Sequence, residues 1–244
     1  MKPTLSRRLV AEFAGTAFLV AAVVGSGIMG ERLSGGNTAL ALLANTIATG
    51  AALVALILTF GPISGAHFNP VVTLADAMEN GLPWSHGAAY VGVQILGGLT
   101  GTMTAHLMFG LPSVSISHHV RSGVPQEFSE FIATFGLLSV IWGCLRFRSS
   151  VVPFAVGAYI TAAYWFTAST SFANPAVAIA RCLSDTFAGI RPTDVPLFIV
   201  AQVFGALAAT LLFRWLAPGL TRETKNVLVA HDTGVTATEE GVPR

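Results

Sequence analysis

Six runs of about twenty residues, each almost free of charge, dominate this sequence. A helix needs about 20 residues to cross the roughly 30 Å hydrocarbon core of a bilayer, whereas the strands of a membrane β-barrel alternate over only about 10 residues. The chain has 13 Lys or Arg and 12 Asp or Glu among 244 residues, too few to cover a soluble surface. We therefore predict six transmembrane helices, at Leu9–Met29, Thr38–Phe60, Trp84–Phe109, Phe128–Leu145, Val151–Ala168 and Val195–Leu216.

The distribution of the positive charges predicts the orientation. With six spans the two termini share one side, which holds nine Lys or Arg. The opposite, outer side holds four: Arg32, Arg121, Arg181 and Arg191. Cytoplasmic loops carry the excess of Lys and Arg, so we predict that both termini are cytoplasmic. The net charge of +1 excludes nucleic acid as a partner, because nucleic-acid binding needs dense positive charge.

The two halves of the sequence repeat the same features in the same order. Each half has a Glu in its first span, an Asn-Pro pair after its second span and a Gln in its third span. These residues are Glu12, Asn69-Pro70 and Gln94 in the first half, and Glu130, Asn174-Pro175 and Gln202 in the second. Because each half has three spans, the second half enters the membrane upside down relative to the first. We predict an inverted repeat.

The segments that follow the two Asn-Pro pairs are too short to span a bilayer. Ten helical residues rise about 15 Å, or half the membrane thickness, and Asn followed by Pro is favourable at a helix start. We predict two re-entrant half-helices, from Asn69 to about Met78 and from Asn174 to about Leu183. The N-terminal ends of the two half-helices would meet at the midplane. Their positive dipole ends would oppose the passage of cations, and the Asn amides would donate hydrogen bonds to neutral molecules. The alternative is that the two Asn-Pro pairs are ordinary helix caps in loops. Their equivalent positions in the two repeats make this alternative less favourable.

These motifs resemble the aquaporin (major intrinsic protein) family over Leu9 to Leu216. The segment Ser64–Thr73 is similar to the family's SGxHxNPAVT, with Val71 in place of the usual Ala, and the second box matches NPA. The resemblance implies an all-α membrane protein of six tilted helices and two half-helices (the aquaporin fold). It also implies a tetramer with one pore per subunit. The pore midplane would comprise Asn69, Pro70, Val71, Asn174, Pro175 and Ala176.

We predict a cytoplasmic N-terminus at residues 1–8, a channel domain at 9–216 (repeat one 9–109, repeat two 128–216) and a cytoplasmic tail at 217–244, which is polar and therefore predicted to be disordered. The resemblance implies a bacterial inner (plasma) membrane as the location, and a supporting role for two buried acids. Glu12 and Glu130 would accept hydrogen bonds from the re-entrant loops, with a proton relay as the alternative. His67 would stabilise its loop by hydrogen bonding, with pH gating as the alternative.

The second box departs from the family at its fourth position. The family normally reads NPAR, and the Arg forms the narrow outer filter, but here the position is Val177. A count without gaps places the other filter positions at Thr49, Ala162 and Ser171. This ring has neither a guanidinium nor an aromatic side chain, so we predict a filter wider and less polar than that of a water channel. It resembles a bacterial branch associated with arsenic detoxification, which makes arsenous acid the leading specific solute.

Two further charges occupy equivalent positions in the half-helices. Asp76 and Arg181 each lie seven residues after the Asn of their box, and Arg181 lies four residues after Val177 on the same helix face. Two interpretations stay open. Either the two pore vestibules carry opposite charges, or both residues lie at headgroup depth and anchor the half-helices.

The sequence thus predicts a passive channel for small uncharged solutes: water, glycerol-like polyols and neutral metalloid hydroxides such as arsenous acid. An ion-coupled secondary transporter using Glu12 and Glu130 is the alternative, because coupled transporters also use inverted repeats. A membrane enzyme is disfavoured because no catalytic constellation is recognisable. We expect small neutral solutes, the lipid bilayer and other copies of the chain in a homotetramer as partners, and no nucleic acid, cofactor or metal.

Overall fold

The computed structural model describes residues 3–217, which contain eight α-helices and no strand. Most of the predicted tail, 218–244, lies outside the described residues. Six helices are long and two are short, as the inverted repeat predicts. They are α1 (Leu5–Leu33), α2 (Thr38–Ser64), α3 (Pro70–Met78), α4 (Trp84–Met108), α5 (Val124–Phe147), α6 (Val152–Phe166), α7 (Pro175–Arg181) and α8 (Val195–Leu216). The predicted fold class is confirmed.

Three of the six long helices, α1, α2 and α5, extend beyond the apolar runs that predicted them. Polar residues that satisfy free backbone N–H groups precede the first two. Thr4 Oγ1 accepts the Arg7 N–H at 3.5 Å before α1, and Asn37 Oδ1 accepts the Leu40 N–H at 3.2 Å before α2. Five of the described helices are both long and apolar enough to cross a membrane, when α6 is counted together with the 3-10 turn before it (Ser149–Phe166). Helix α4 has a comparable length of 25 residues, but its Gly, Thr and His residues make it less apolar.

Each repeat is a packed unit, and the half-helices join the two units. Helix α1 packs against α2 and α4, and its equivalent α5 packs against α6 and α8. Helices α2 and α6 pack against each other across the repeats. The half-helices α3 and α7 each contact both α4 and α8. The two short helices are therefore held between the third long helices of both repeats.

Close approach of the long helices depends on glycines at equivalent positions. A methyl group added at Gly97 in α4 would overlap the Phe13 carbonyl oxygen of α1, and one added at Gly205 in α8 would overlap the Phe131 carbonyl oxygen of α5. Phe13 and Phe131 directly follow the two buried Glu residues. Small residues allow backbones to approach in this way in membrane helix pairs, and here the approach brings α4 and α8 to the Glu side chains.

We expect Gly97→Ala to destabilise the protein, because the added methyl group must push α4 away from α1. Overpacking of this kind costs about 1–3 kcal/mol. The control is Gly92→Ala in the same helix, where an added methyl group meets nothing within 4 Å. Thermal unfolding in detergent, followed by circular dichroism, should show a lower transition temperature for Gly97→Ala alone. Equal transition temperatures for the two variants would contradict this packing argument.

Candidate functional site

The loop before α3 is held by a single buried carboxylate. Glu12 is fully buried and accepts hydrogen bonds from the His67 N–H at 3.0 Å and the Phe68 N–H at 2.7 Å. The Ser64 hydroxyl at 2.6 Å and the Gln94 amide at 2.8 Å donate to the same carboxylate. Buried backbone N–H groups need partners, so this acid replaces the hydrogen bonds that water would give to the loop.

The second repeat uses the same arrangement. Glu130 is fully buried and accepts the Phe172 and Ala173 N–H groups, both at 2.8 Å, while the Gln202 amide donates to it at 2.6 Å. The Glu and Gln of the sequence repeat are therefore parts of one device that occurs twice. In each repeat, the first helix supplies the acceptor, the third supplies a donor and the loop lies between them.

The two loops share an unusual backbone conformation. Ala66 and Phe68, three residues and one residue before Asn69, have φ of 50°. Ser171 and Ala173 take the equivalent places before Asn174, with φ of 49° and 47°. Left-handed geometry costs a residue with a side chain about 1–2 kcal/mol. The hydrogen bonds to the two Glu side chains offset this cost.

The two Asn side chains cross-link the loops at the centre of the molecule. Each Asn Oδ1 accepts the backbone N–H two residues ahead at 3.0 Å, which caps its half-helix. Asn69 Nδ2 donates to the Ala173 carbonyl at 2.7 Å, and Asn174 Nδ2 donates to the Phe68 carbonyl at 2.8 Å. An amide NH₂ group has two hydrogens. One N–H of each Asn is therefore left for another acceptor.

A cavity passes both Asn side chains and is lined by both repeats. Its walls are rows of residues four apart, which share a helix face. Helix α2 contributes Thr49, Leu53 and Ile57, and α6 contributes Val152, Val156, Ile160 and Tyr164. Of the predicted midplane residues, only Asn69 and Asn174 line the cavity. The other four are buried in the first turns of the half-helices: Pro70, Val71, Pro175 and Ala176.

Three of the four predicted filter residues line the cavity: Thr49, Ser171 and Val177. The assignment of Ala162 is wrong, since its side chain is exposed on the outside of the bundle. Two residues of a helix turn through about 200°, so Ala162 points away from the row that contains Tyr164. The Tyr164 hydroxyl lies 3.2 Å from Thr49 Oγ1.

This correction changes the predicted character of the filter. Beside Thr49 the cavity is lined by the aromatic side chain and hydroxyl group of Tyr164, where the sequence predicted the methyl group of Ala162. Among residues 3–217, Ser171 Oγ has no hydrogen-bond partner, so it is free to bond a solute. The gap-free count failed because it crossed a loop. The sequence does contain a row of residues four apart that ends in Tyr164. Because α6 is apolar on all sides, however, its sequence does not indicate which face lines the cavity.

The two equivalent charges of the half-helices do not both face the pore. Arg181 lines the cavity, whereas Asp76 is buried away from it, with Oδ2 3.7 Å from His67 Nε2. His67 does line the cavity, and its Nδ1 lies 3.1 Å from Thr73 Oγ1. The cavity is therefore bordered by the charged side chain of Arg181 near the second half-helix and by the imidazole of His67 near the first.

The arrangement of helices and motifs agrees with comparisons to known proteins. The family model for the major intrinsic proteins matches residues 1–171 and 146–242. Aquaglyceroporin AqpS from Rhizobium meliloti (strain 1021) is 57% identical over 212 residues, covering 87% of this chain and 91% of the relative. Aquaporin NIP6-1 from Arabidopsis thaliana is 30% identical over 211 residues, covering 84% and 67% respectively.

A solved structure gives the same result for the fold. The X-ray structure of the aquaglyceroporin from Plasmodium falciparum superimposes with a TM-score of 0.69 at 21% identity, covering 88% of this chain and 98% of that one. The family-model match spans both repeats and both Asn-Pro boxes. The chain thus belongs to the major intrinsic protein family and is a membrane channel, not an enzyme.

Proposed function

We propose that this channel passively conducts small uncharged solutes, namely water, glycerol-like polyols and neutral metalloid hydroxides such as arsenous acid. The observation that carries the proposal is the composition of the cavity wall. Aliphatic side chains form most of it, and polar side chains interrupt it at the filter, at the two Asn residues, at His67 and at Arg181. Pore lining of this kind sets selectivity through diameter and available donors.

The filter suits a solute that is apolar on one side and hydroxylated on the other. Thr49, Tyr164 and Ser171 offer hydroxyl groups, whereas Val177 offers two methyl groups in place of a guanidinium. A polyol has a carbon chain for the methyl groups and hydroxyls for the polar side chains. The name of the relative AqpS, an aquaglyceroporin, supports glycerol-type solutes. Arsenous acid, a neutral compact trihydroxide, has the same donor and acceptor chemistry.

Ion coupling through the buried acids is the rival function. It requires Glu12 and Glu130 to exchange protons or ions with the transport path. Neither residue lines the cavity, and each holds two loop N–H groups and a Gln amide. Moving either carboxylate would release a re-entrant loop from its left-handed conformation. A structural role for both acids therefore accounts for their contacts, and passive conduction needs no coupling residue.

The proposal extends to location and assembly. We place the channel in the bacterial inner (plasma) membrane with both termini in the cytoplasm, in keeping with the distribution of nine and four positive residues. The outer face of the bundle exposes large apolar side chains, which suits contact with lipid or with other copies. Examples are Leu40, Ile47, Phe128, Phe154 and Phe204. We propose a homotetramer with one pore in each subunit.

Purified protein in liposomes tests passive conduction directly. We expect glycerol, urea and arsenous acid to equilibrate across the membrane without a proton or sodium gradient and never to accumulate. Water and ammonia complete the panel, and protein-free liposomes supply the background rates. Light scattering follows water, glycerol and urea, and elemental analysis follows arsenic. Accumulation of glycerol or urea, which do not titrate, under an imposed pH gradient would establish coupling instead.

We expect Val177→Arg to lower glycerol permeability by about tenfold and to lower water permeability less, because a guanidinium narrows the ring. Val177→Leu is the matched control, since it adds volume without charge. Stopped-flow light scattering on the same liposomes gives both rates. An equal change in the permeation rates of water and glycerol would show that Val177 is not a filter residue.

A further inference from the structure

Arg181 is the charged residue whose position the proposed function does not explain. Its side chain is 2% exposed, and its Nε donates to the Ala188 carbonyl. Its guanidinium carbon lies 3.5 Å from the centroid of the Phe172 ring, a close cation–π contact. Among the described residues 3–217, its Nη1 is buried without a hydrogen-bond partner. A residue that only anchored the half-helix would be expected to use its donors.

A second arginine beside the same ring shows what full anchoring looks like. Arg121 lies 5.1 Å from the Phe172 centroid and does not line the cavity. Its Nε donates to the Gly189 carbonyl at 2.8 Å, and its Nη groups donate to three further oxygens at 3.3–3.5 Å. Burial lowers the pKa of Arg121 to about 10, so it remains protonated at neutral pH. Arg121 is fixed into the outer loops, whereas Arg181 is held at one nitrogen and borders the cavity.

The charge of the cavity wall is therefore one-sided. Within the described part of the chain no Asp or Glu side chain lines the cavity, and Arg181 is its only Arg or Lys. Arg181 lies four residues after Val177, about 6 Å along the helix axis. In a narrow apolar passage the field of a guanidinium is screened far less than in water. A cation that enters the filter would meet this field with no carboxylate on the cavity wall to offset it.

We propose that Arg181 is the charge-selecting residue of this pore. It rejects cations from a position one helical turn away from the filter residue Val177. The chain thereby separates two tasks: the ring of Thr49, Tyr164, Ser171 and Val177 selects by size and hydroxyl contacts, and Arg181 selects by charge. This arrangement leaves the filter free of a guanidinium without opening the channel to cations. The inference rests on the proposed conduction of neutral solutes.

Urea and the guanidinium ion test this proposal, because they are planar, similar in size and different in charge. Liposomes containing the wild-type channel should pass urea and exclude guanidinium. Arg181→Gln should raise the ratio of guanidinium to urea permeability by on the order of tenfold or more, since the positive field is lost. Arg32→Gln is the matched control: Arg32 is also predicted to lie on the outer side, is exposed, and does not line the cavity. This control should leave the ratio unchanged.

The outcomes separate the two proposals. Failure of the wild-type channel to pass urea and glycerol would overturn the proposed function. Passage of both urea and guanidinium by the wild type would overturn only the role of Arg181, as would an unchanged ratio in Arg181→Gln. Urea flux identifies variants that fold. If the Arg181→Gln variant shows no urea flux, the Arg181→Met variant replaces it in the test, because the unbranched Met side chain keeps contact with Phe172. Arg181→Lys, which keeps the charge, should exclude guanidinium as the wild type does.

Discussion

Two buried carboxylates sustain the whole structure. Glu12 and Glu130 each bind two backbone N–H groups of a loop that enters the membrane without regular secondary structure. Inside a bilayer an unpaired N–H costs several kcal/mol, so such a loop exists only where protein supplies the acceptors. Once the loops are held, the half-helices begin at the centre, the Asn amides meet and a cavity passes between the repeats. Selectivity is thus built on two acids that do not line the cavity.

The same constraint explains why the glycines and glutamines occupy equivalent places. Gly97 and Gly205 let α4 and α8 approach the backbones of α1 and α5, and that approach brings Gln94 and Gln202 within hydrogen-bonding distance of the two Glu side chains. The left-handed residues of both loops stand at the same distance before each Asn. Inverted symmetry therefore extends from the sequence motifs down to single hydrogen bonds. It breaks at the pore, where Asp76 is buried behind the wall and Arg181 lines it.

Much of the fold was predictable from the sequence because its signals are local. Apolar length gave the six spans, Asn followed by Pro gave the starts of the half-helices, and the repeated order gave the inversion. The residues that line the cavity near the predicted filter were predicted only in part. Thr49, Ser171 and Val177 line the cavity, whereas Ala162 does not and Tyr164 does. An apolar helix surrounded by lipid and protein has no amphipathic pattern, so its pore-facing side cannot be identified by composition, and a count across a loop does not recover it.

The sequence by itself determined the membrane class, the inverted repeat, the Asn-Pro helix starts and the absence of an arginine at position 177. These properties depend on the length, order and identity of residues. Only the tertiary structure decided that Tyr164 lines the cavity, that Asp76 turns away from it and that Arg181 borders it with a nitrogen that has no partner among residues 3–217. These features depend on the rotation of each helix about its own axis. That rotation is fixed by packing between helices distant in the chain, which no local pattern records.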